Sequence, residues 1–530
     1  MPQDRNFFYI FASKFMGMLR KIRIVLALIF LTGITLLFLD FTGTLHAWLG
    51  WMARIQFFPA VMALNLGVIV ALVLLTLVCG RVYCSVICPL GVMQDLFAWL
   101  GKKQKKNRYT YSPAHNWLRY AMLALFVVVL ILGVGSVVTL LEPYSIFGRI
   151  ASNLLAPVYG WINNLFALIA ERADSYAFYE TDVWLRSLPT FIIAAVMLVL
   201  IAVLAWRGGR TWCNNICPVG TVLGFLSRFS WLKPVINTDK CISCRICEHN
   251  CKASCIDIAN HKIDYSRCVA CMDCIGKCPK DAISYTHPKK AVSPAPAAPD
   301  APKADKAEAV DASRRGFLTA SLMTAAAVTV GAQEKKVDGG LAVIEDKVIP
   351  DRGTPIVPPG AVSLKHFAQH CTRCQLCVSV CPNGVLRPAT DLMRLMQPEM
   401  SYERGFCRPE CTKCSEVCPS GAIRPIDRAE KSSTQIGHAV WVKKNCIPVR
   451  DGEECGNCAR HCPAEAIQMV PLKGHHRHRG GREEGNDGKN LMVPAINTEK
   501  CIGCGSCEYV CPARPFAAIY VTGHEVHRTI

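Results

Sequence analysis

The 530-residue sequence contains no C-x-x-C-H, so any covalently attached haem in its chemistry belongs to another protein. It has no P-loop, no glycine-rich dinucleotide fingerprint and no recognisable substrate-pocket motif, which leaves phosphoryl transfer and nicotinamide chemistry without a carrier. Charge is missing from four long stretches: Ile24 to Leu39, Phe58 to Cys79, Ala121 to Leu141, and Leu188 to Trp206. Each approaches the ~20 apolar residues that a helix needs to cross a bilayer. Four such runs before residue 207 predict a four-span α-helical membrane domain over 1–235 rather than a soluble core. Ala151 to Ala170 is also apolar but carries Asn153, Pro157, Asn163 and Asn164, and is expected to lie along the membrane surface.

What charge there is has a strong bias, with a formal net of +19. The basic residues gather beside the spans rather than in a patch suited to nucleic acid. Arg5, Lys14, Arg20, Lys21 and Arg23 precede the first span, and Arg81, Lys102, Lys103, Lys105, Lys106 and Arg108 follow the second. Basic loops stay on the cytoplasmic side, so both ends of the domain are expected there. On that face 80-GRVYCSVICPLG-91 repeats as 209-GRTWCNNICPVG-220. The repeat predicts two related helical hairpins that bring Cys84, Cys88, Cys213 and Cys217 together, either as redox thiols or metal ligands, or as free thiols in tight turns.

Of the thirty cysteines, most fall in C-x-x-C-x-x-C-x-x-x-C runs, the spacing that wraps three thiolates around one [4Fe-4S] cube and sends the fourth to a neighbouring cube. Disulfides and zinc fit this triple spacing poorly. Residues 236–288 hold two runs, which predicts an α+β ferredoxin-like domain with one cube on Cys241, Cys244, Cys247 and Cys278 and the other on Cys268, Cys271, Cys274 and Cys251. Cys79 and Cys255 are expected to be ordinary buried or spare thiols. Residues 341–530 hold four more runs, beginning at Cys371, Cys407, Cys446 and Cys501, enough for four further cubes. The loop 473–490, with His475, His476 and His478, reads as a solvated insertion because its glycine and charge forbid packing.

Between the two cluster regions lie a Pro/Ala-rich linker, 289–312, and the segment 313–340. The latter opens with Ser313-Arg314-Arg315-Gly316-Phe317-Leu318 and continues uncharged to Ala332, which resembles a twin-arginine export signal placed inside the chain. Val330-Gly331-Ala332 resembles a peptidase site, and cleavage or retention as a short anchor are both open. Export in folded form suits a domain that must first be loaded with clusters in the cytoplasm.

These residues resemble a known pair. Ile24 to Tyr285, with both C-x-x-x-C-P motifs and the two-cluster module, is similar to the NapH-type membrane subunit of quinol dehydrogenases, and the chain from Ser313 onward is similar to the exported NapG type. The resemblance implies an inner-membrane electron-transport protein of anaerobic respiration. It would contain six [4Fe-4S] clusters, take electrons from the quinone pool, and deliver them to a periplasmic cytochrome or reductase, foremost nitrate reductase. The alternative is a redox maturation factor of the methylamine dehydrogenase type. By likeness to four-cluster electron-transfer subunits, the outer runs would share ligands: Cys371, Cys374, Cys377 with Cys511, and Cys501, Cys504, Cys507 with Cys381. The inner runs would do the same: Cys407, Cys411, Cys414 with Cys462, and Cys446, Cys455, Cys458 with Cys418. For proton release from quinol, the ionisable candidates at the periplasmic span ends are Asp40, His46 and Glu142.

Overall fold

The computed structural model describes residues 3–40, 42–102, 109–175, 177–287, 346–472 and 491–530. The twin-arginine segment, the linker and the histidine-bearing loop lie outside the described residues. Among the described residues three helices are long and apolar enough to cross a membrane by length and composition: Met18–Leu39, Pro143–Arg172 and Leu188–Gly208. Two shorter apolar helices, Leu66–Cys79 and Asn116–Ile131, stand beside them. Their outward faces expose Val25, Leu28, Leu74, Val128, Val196 and Val199, an apolar surface suited to lipid rather than water.

Two of the expected spans are broken. Phe58 to Cys79 is divided into Phe57–Met62 and Leu66–Cys79, because Leu64 takes a left-handed backbone (φ 51) and the Asn65 side chain accepts from Val68 N to start a new helix. Ala121 to Leu141 is divided at Gly133 (φ 74), which separates Asn116–Ile131 from Gly135–Leu141. Conversely, Ala151 to Ala170 is not a separate surface segment but part of the long helix that begins at Pro143. Pro157 offers no amide hydrogen to the carbonyl of Asn153, and the helix absorbs this with a wide π turn over Ala151–Leu155.

Short antiparallel hairpins frame the cluster-binding loops. In the first ferredoxin module Lys233–Ile236 pairs with Ile283–Thr286, and Ile256–Asp257 with Lys262–Ile263. In the C-terminal domain Leu386–Pro388 pairs with Pro398–Met400, Ile467–Pro471 with Met492–Ile496, and the longer Thr434–Trp441 with Ile519–Thr529.

The two cluster regions sit at opposite ends of the helical domain. Arg20 of the first helix pairs with Asp273 of the two-cluster module at 2.8 Å, and Arg210 N donates to Lys252 O at 2.8 Å. The C-terminal domain meets the other end of the same helix: a side chain on Gly148 would strike both Phe38 and the carbonyl of Cys374. Arg20 and Phe38 are separated by roughly 27 Å at 1.5 Å per helical residue. The distal contact is completed by Ser145 Oγ donating to Thr372 O (2.6 Å), Lys413 Nζ to Thr42 O (2.7 Å) and Arg186 to Val378 O (2.8 Å). The Trp184 ring meets the guanidinium groups of Arg387 and Arg404, 4.3 and 4.6 Å from its centre.

At the proximal end Lys252 bridges Asp273 (3.0 Å) and Asp95 (3.6 Å), so the module is held by a charge network. Burial opposes ionisation of Asp273, but Lys252 and Arg20 outweigh it and hold the carboxyl below the usual range. A depressed carboxyl contributes stability above its unfolded pKa of about 4 and loses it as pH falls through the folded value. Asp273→Asn is therefore expected to destabilise the module by about 1–3 kcal/mol at pH 7 and by progressively less below about pH 4, read as hydrogen exchange over 233–287 in the detergent-solubilised protein.

Candidate electron-transfer centres

In each regular run the residues between cysteines bend the backbone left-handed so that three thiols face one point. Ser243 and Arg245 do this in the first run, Ala270 and Met272 in the second, Arg373 and Gln375 in the third, and Gly503 and Gly505 in the last. The non-glycine residues carry strain that a loop closed on a bound cluster can support. Four thiol-lined cavities result. Cys241, Cys244, Cys247 and Cys278 line one. Cys251, Cys268, Cys271 and Cys274 line the second. Cys381, Cys407, Cys411 and Cys414 line a third, and Cys462, Cys501, Cys504 and Cys507 a fourth. Among the described residues no three His, Cys, Asp or Glu side chains form a site for a single metal ion.

The remaining cysteines complete two further rings. Cys418 stands within electrostatic reach of Cys371, Cys374 and Cys377, and Cys511 of Cys446 and Cys458. The outer-with-outer and inner-with-inner arrangement is therefore not what the structure shows. Cys381 goes to Cys407, Cys411 and Cys414 rather than to Cys501, Cys504 and Cys507, and Cys462 goes to the latter set rather than to the former. Cys418 and Cys511 likewise serve the adjacent run. The physical reason is local: a hairpin between the first and second runs, and another between the third and fourth, folds each run onto its immediate neighbour, closing shorter loops than a nested arrangement would. The two pairs touch where Cys407 N donates to Cys504 O at 2.9 Å.

Burial pushes the Cys271 and Cys374 thiols up to about 12, so cluster loading must displace protons from them. Backbone amides approach several fourth cysteines: Ala282 N to Cys278 Sγ (3.2 Å), Ala466 N to Cys462 Sγ (3.3 Å) and Ala518 N to Cys511 Sγ (3.3 Å). Such bonds favour the thiolate and tune cluster potential. Two contributors escaped the sequence reading. Cys255 is buried, as expected of an ordinary buried thiol, but it also lines the second cavity, with its Sγ 3.5 Å from that of Cys251. Lys431 is buried with its Nζ 3.2 Å from Cys407 Sγ, a position no spacing rule would find. Cys79 lies at a helix end, its carbonyl accepting from Tyr285 Oη at 2.7 Å.

The repeated motif forms a reciprocal structure. Arg81 donates to the carbonyl of Cys213 (3.2 Å) and Arg210 to that of Cys84 (2.6 Å), each reaching into the other half. A methyl group on Gly91 would lie 2.3 Å from Cys84 O and 2.8 Å from Arg210; on Gly220 it would lie 2.2 Å from Cys213 O and 2.9 Å from Arg81. The motif thus requires glycine after its second cysteine so that the partner arginine can reach the first. Cys84, Cys88, Cys213 and Cys217 are all buried in this arrangement.

The quinol candidates do not form one group. Asp40 accepts from the amides of Thr42, Gly43 and Leu45, which start the helix Thr44–Leu49, and lies 3.3 Å from His46 Nδ1. Glu142 instead caps the helix Pro143–Ile150 through Tyr144 N and Ser145 N.

Profiles of families described as "4Fe-4S binding domain" match 61–107 and 189–237, which contain the two C-x-x-x-C-P motifs, and 261–284 and 366–387. A "4Fe-4S dicluster domain" profile matches 453–514, across the third and fourth C-terminal runs. Iron analysis can check the adjacent pairing. A Cys407→Ala/Cys411→Ala/Cys414→Ala variant should lose about four iron atoms, one cube, and adding Cys381→Ala should remove no more; a further loss of about four would restore the nested pairing.

No solved structure matches the chain. The ferredoxin-type protein NapG of Escherichia coli K12 is 31% identical over 174 residues, 31% of this chain and 72% of its own length. The methylamine utilization ferredoxin-type protein MauM of Methylobacillus flagellatus is 31% identical over 173 residues, 31% of this chain and 66% of its own. The ferredoxin-type protein NapH of E. coli K12 is 28% identical over 241 residues, 43% of this chain and 69% of its own. With thiol-lined cavities attached to an apolar helical domain, and with these relatives, the chain belongs to the NapH/NapG-type ferredoxin-type iron–sulfur electron-transfer proteins.

Proposed function

We propose that the chain is a membrane-bound quinol dehydrogenase component that passes electrons through six [4Fe-4S] clusters to a periplasmic acceptor, foremost nitrate reductase or its cytochrome. The two-cluster module would face the cytoplasm and the C-terminal domain, exported by the twin-arginine segment, the periplasm. Bound clusters supply one-electron relay; the protein's part is to hold them, to bind quinol and to take its protons. The observation that carries this reading is the pair Asp40 and His46. Asp40 is buried and His46 half-buried where the C-terminal domain meets the helices, beside Lys413, a residue that also lines the Cys381, Cys407, Cys411 and Cys414 cavity. Burial lowers the His46 pKa against the raising pull of Asp40, so the ring is neutral at pH 7 and can accept a proton. Trp48 and Trp51, both exposed on the adjoining short helices, suit the membrane–water boundary at which a quinol headgroup would enter. Glu142, fully engaged as a helix cap, is not assigned this role. The relation to MauM keeps a maturation role as the second reading, in which the same electrons serve assembly of an enzyme.

His46→Gln is expected to slow cluster reduction by quinol about a hundredfold at pH 7, followed by EPR, while iron content and reduction by dithionite stay unchanged. Equal rates in the two proteins would remove His46 from the site. For sidedness, a reporter after Tyr285 should read cytoplasmic and one after Ile530 periplasmic, and Arg314→Lys/Arg315→Lys should hold the latter in the cytoplasm. A cytoplasmic Ile530 in the unmodified chain would overturn the export reading.

A further inference from the structure

We propose that the cube site of Cys251, Cys268, Cys271 and Cys274 has a fifth thiol ligand, Cys255, which exchanges with Cys251 on the same iron. The inference goes beyond the electron-transfer reading and needs only that this cavity hold its cube. Its first support is a comparison among the runs. Three residues after the fourth cysteine the backbone turns left-handed, at Asp281 (φ 46), Gly384 (φ 62), Gly421 (φ 70), Glu465 (φ 49) and, after Cys251, Ser254 (φ 49). The turn delivers the next residue to the buried wall beside the thiols. That residue is Ala282, Val385, Ala422 or Ala466 in four of these runs, each at most 3% exposed, and Ala282 and Val385 line their cavities. In the run that ends at Cys251 it is Cys255, 1% exposed.

The second support is contact. A small side chain is all that the turn asks of this position, as the three alanines show. The sulfur placed there lines the cavity, 3.5 Å from Cys251 Sγ and within hydrogen-bonding reach of Cys268. Five thiols thus surround a cavity in which a cube takes four. The third support is freedom of the chain. Cys278, Cys381, Cys418, Cys462 and Cys511 are each followed by proline, whose ring fixes the backbone after the ligand, whereas Cys251 is followed by Lys252. The exchange is balanced by one proton: Cys255 Sγ gives its hydrogen to Cys251 Sγ, one iron–sulfur bond forms as the other breaks, and no electron is lost or gained. The two forms differ in their attachment. Lys252, next to Cys251, pairs with Asp95 of the helical domain and with Asp273, and its carbonyl accepts from Arg210 N. Ile256, next to Cys255, pairs with Ile263 inside the module.

Iodoacetamide labelling of the anaerobic, detergent-solubilised full chain tests this, because trypsin cuts after Lys252 and separates Cys251 from Cys255 for mass spectrometry. Singly labelled chains are expected to carry the label on Cys251 in some molecules and on Cys255 in others. In Cys255→Ala, which installs the alanine found at 282, 422 and 466, Cys251 has no substitute on the iron. Its labelling should fall by about tenfold or more while iron content stays unchanged. Cys251→Ala is expected to keep the iron of the unmodified protein with altered EPR g values, and Cys251→Ala/Cys255→Ala to lose about four atoms, one cube. Label on Cys255 alone, Cys251 labelling unaffected by Cys255→Ala, or equal iron in Cys251→Ala and the double variant would overturn the inference. Labelling of Cys268, Cys271 and Cys274 as readily as Cys251 in the unmodified protein would overturn the cluster assignment of this cavity, and the inference with it.

Discussion

The structure depends on two arginines that have to be satisfied away from water. Arg81 and Arg210 follow the ends of apolar helices, where a guanidinium cannot be left to solvent and cannot lose its charge. Each is met by a carbonyl of the other repeat, which fixes the two halves face to face. The same arginines reach outward, Arg81 to Ser266 and Arg210 to Asp95, so the ferredoxin module and the first helix are drawn into one network. The glycines at 91 and 220 are consequences of this constraint, since any side chain there would displace the arginine or the carbonyl it seeks.

At the distal end the junction has a different character. It combines apolar packing around Phe38, Tyr144 and Cys374 with backbone carbonyls that accept from Ser145, Lys413 and Arg186. In E. coli, NapH and NapG are separately named proteins, whereas here the features of both occupy one chain. Joining them through a linker raises the local concentration of one for the other, so the junction can be modest and still stay formed. The contact of Trp184 with the guanidinium groups of Arg387 and Arg404 belongs to this junction.

The regular cluster runs were legible from spacing because three ligands lie within seven residues and their geometry is set by the local backbone, as the left-handed bends at Ser243, Ala270 and Arg373 illustrate. The fourth ligand was legible in the two-run module, where only one partner run exists. In the C-terminal domain four runs offered several pairings, and the hairpins that choose between them are too short to leave a clear signal. Lys431 near Cys407 and Cys255 near Cys251 were hidden for the same reason: neither belongs to a motif, and each acquires its role only through the fold.

By itself the sequence determined that the chain carries apolar helices, a duplicated C-x-x-x-C-P element and cubane-type cysteine runs, because hydropathy and ligand spacing are local properties that survive in any tertiary arrangement. Tertiary structure decided where the helices break, which cysteines share a cavity, and that the two cluster regions occupy opposite ends of the helical domain. Those outcomes rest on contacts between residues far apart in the chain, such as Arg81 with Cys213 and Ser145 with Thr372, whose energies depend on burial that no local pattern specifies.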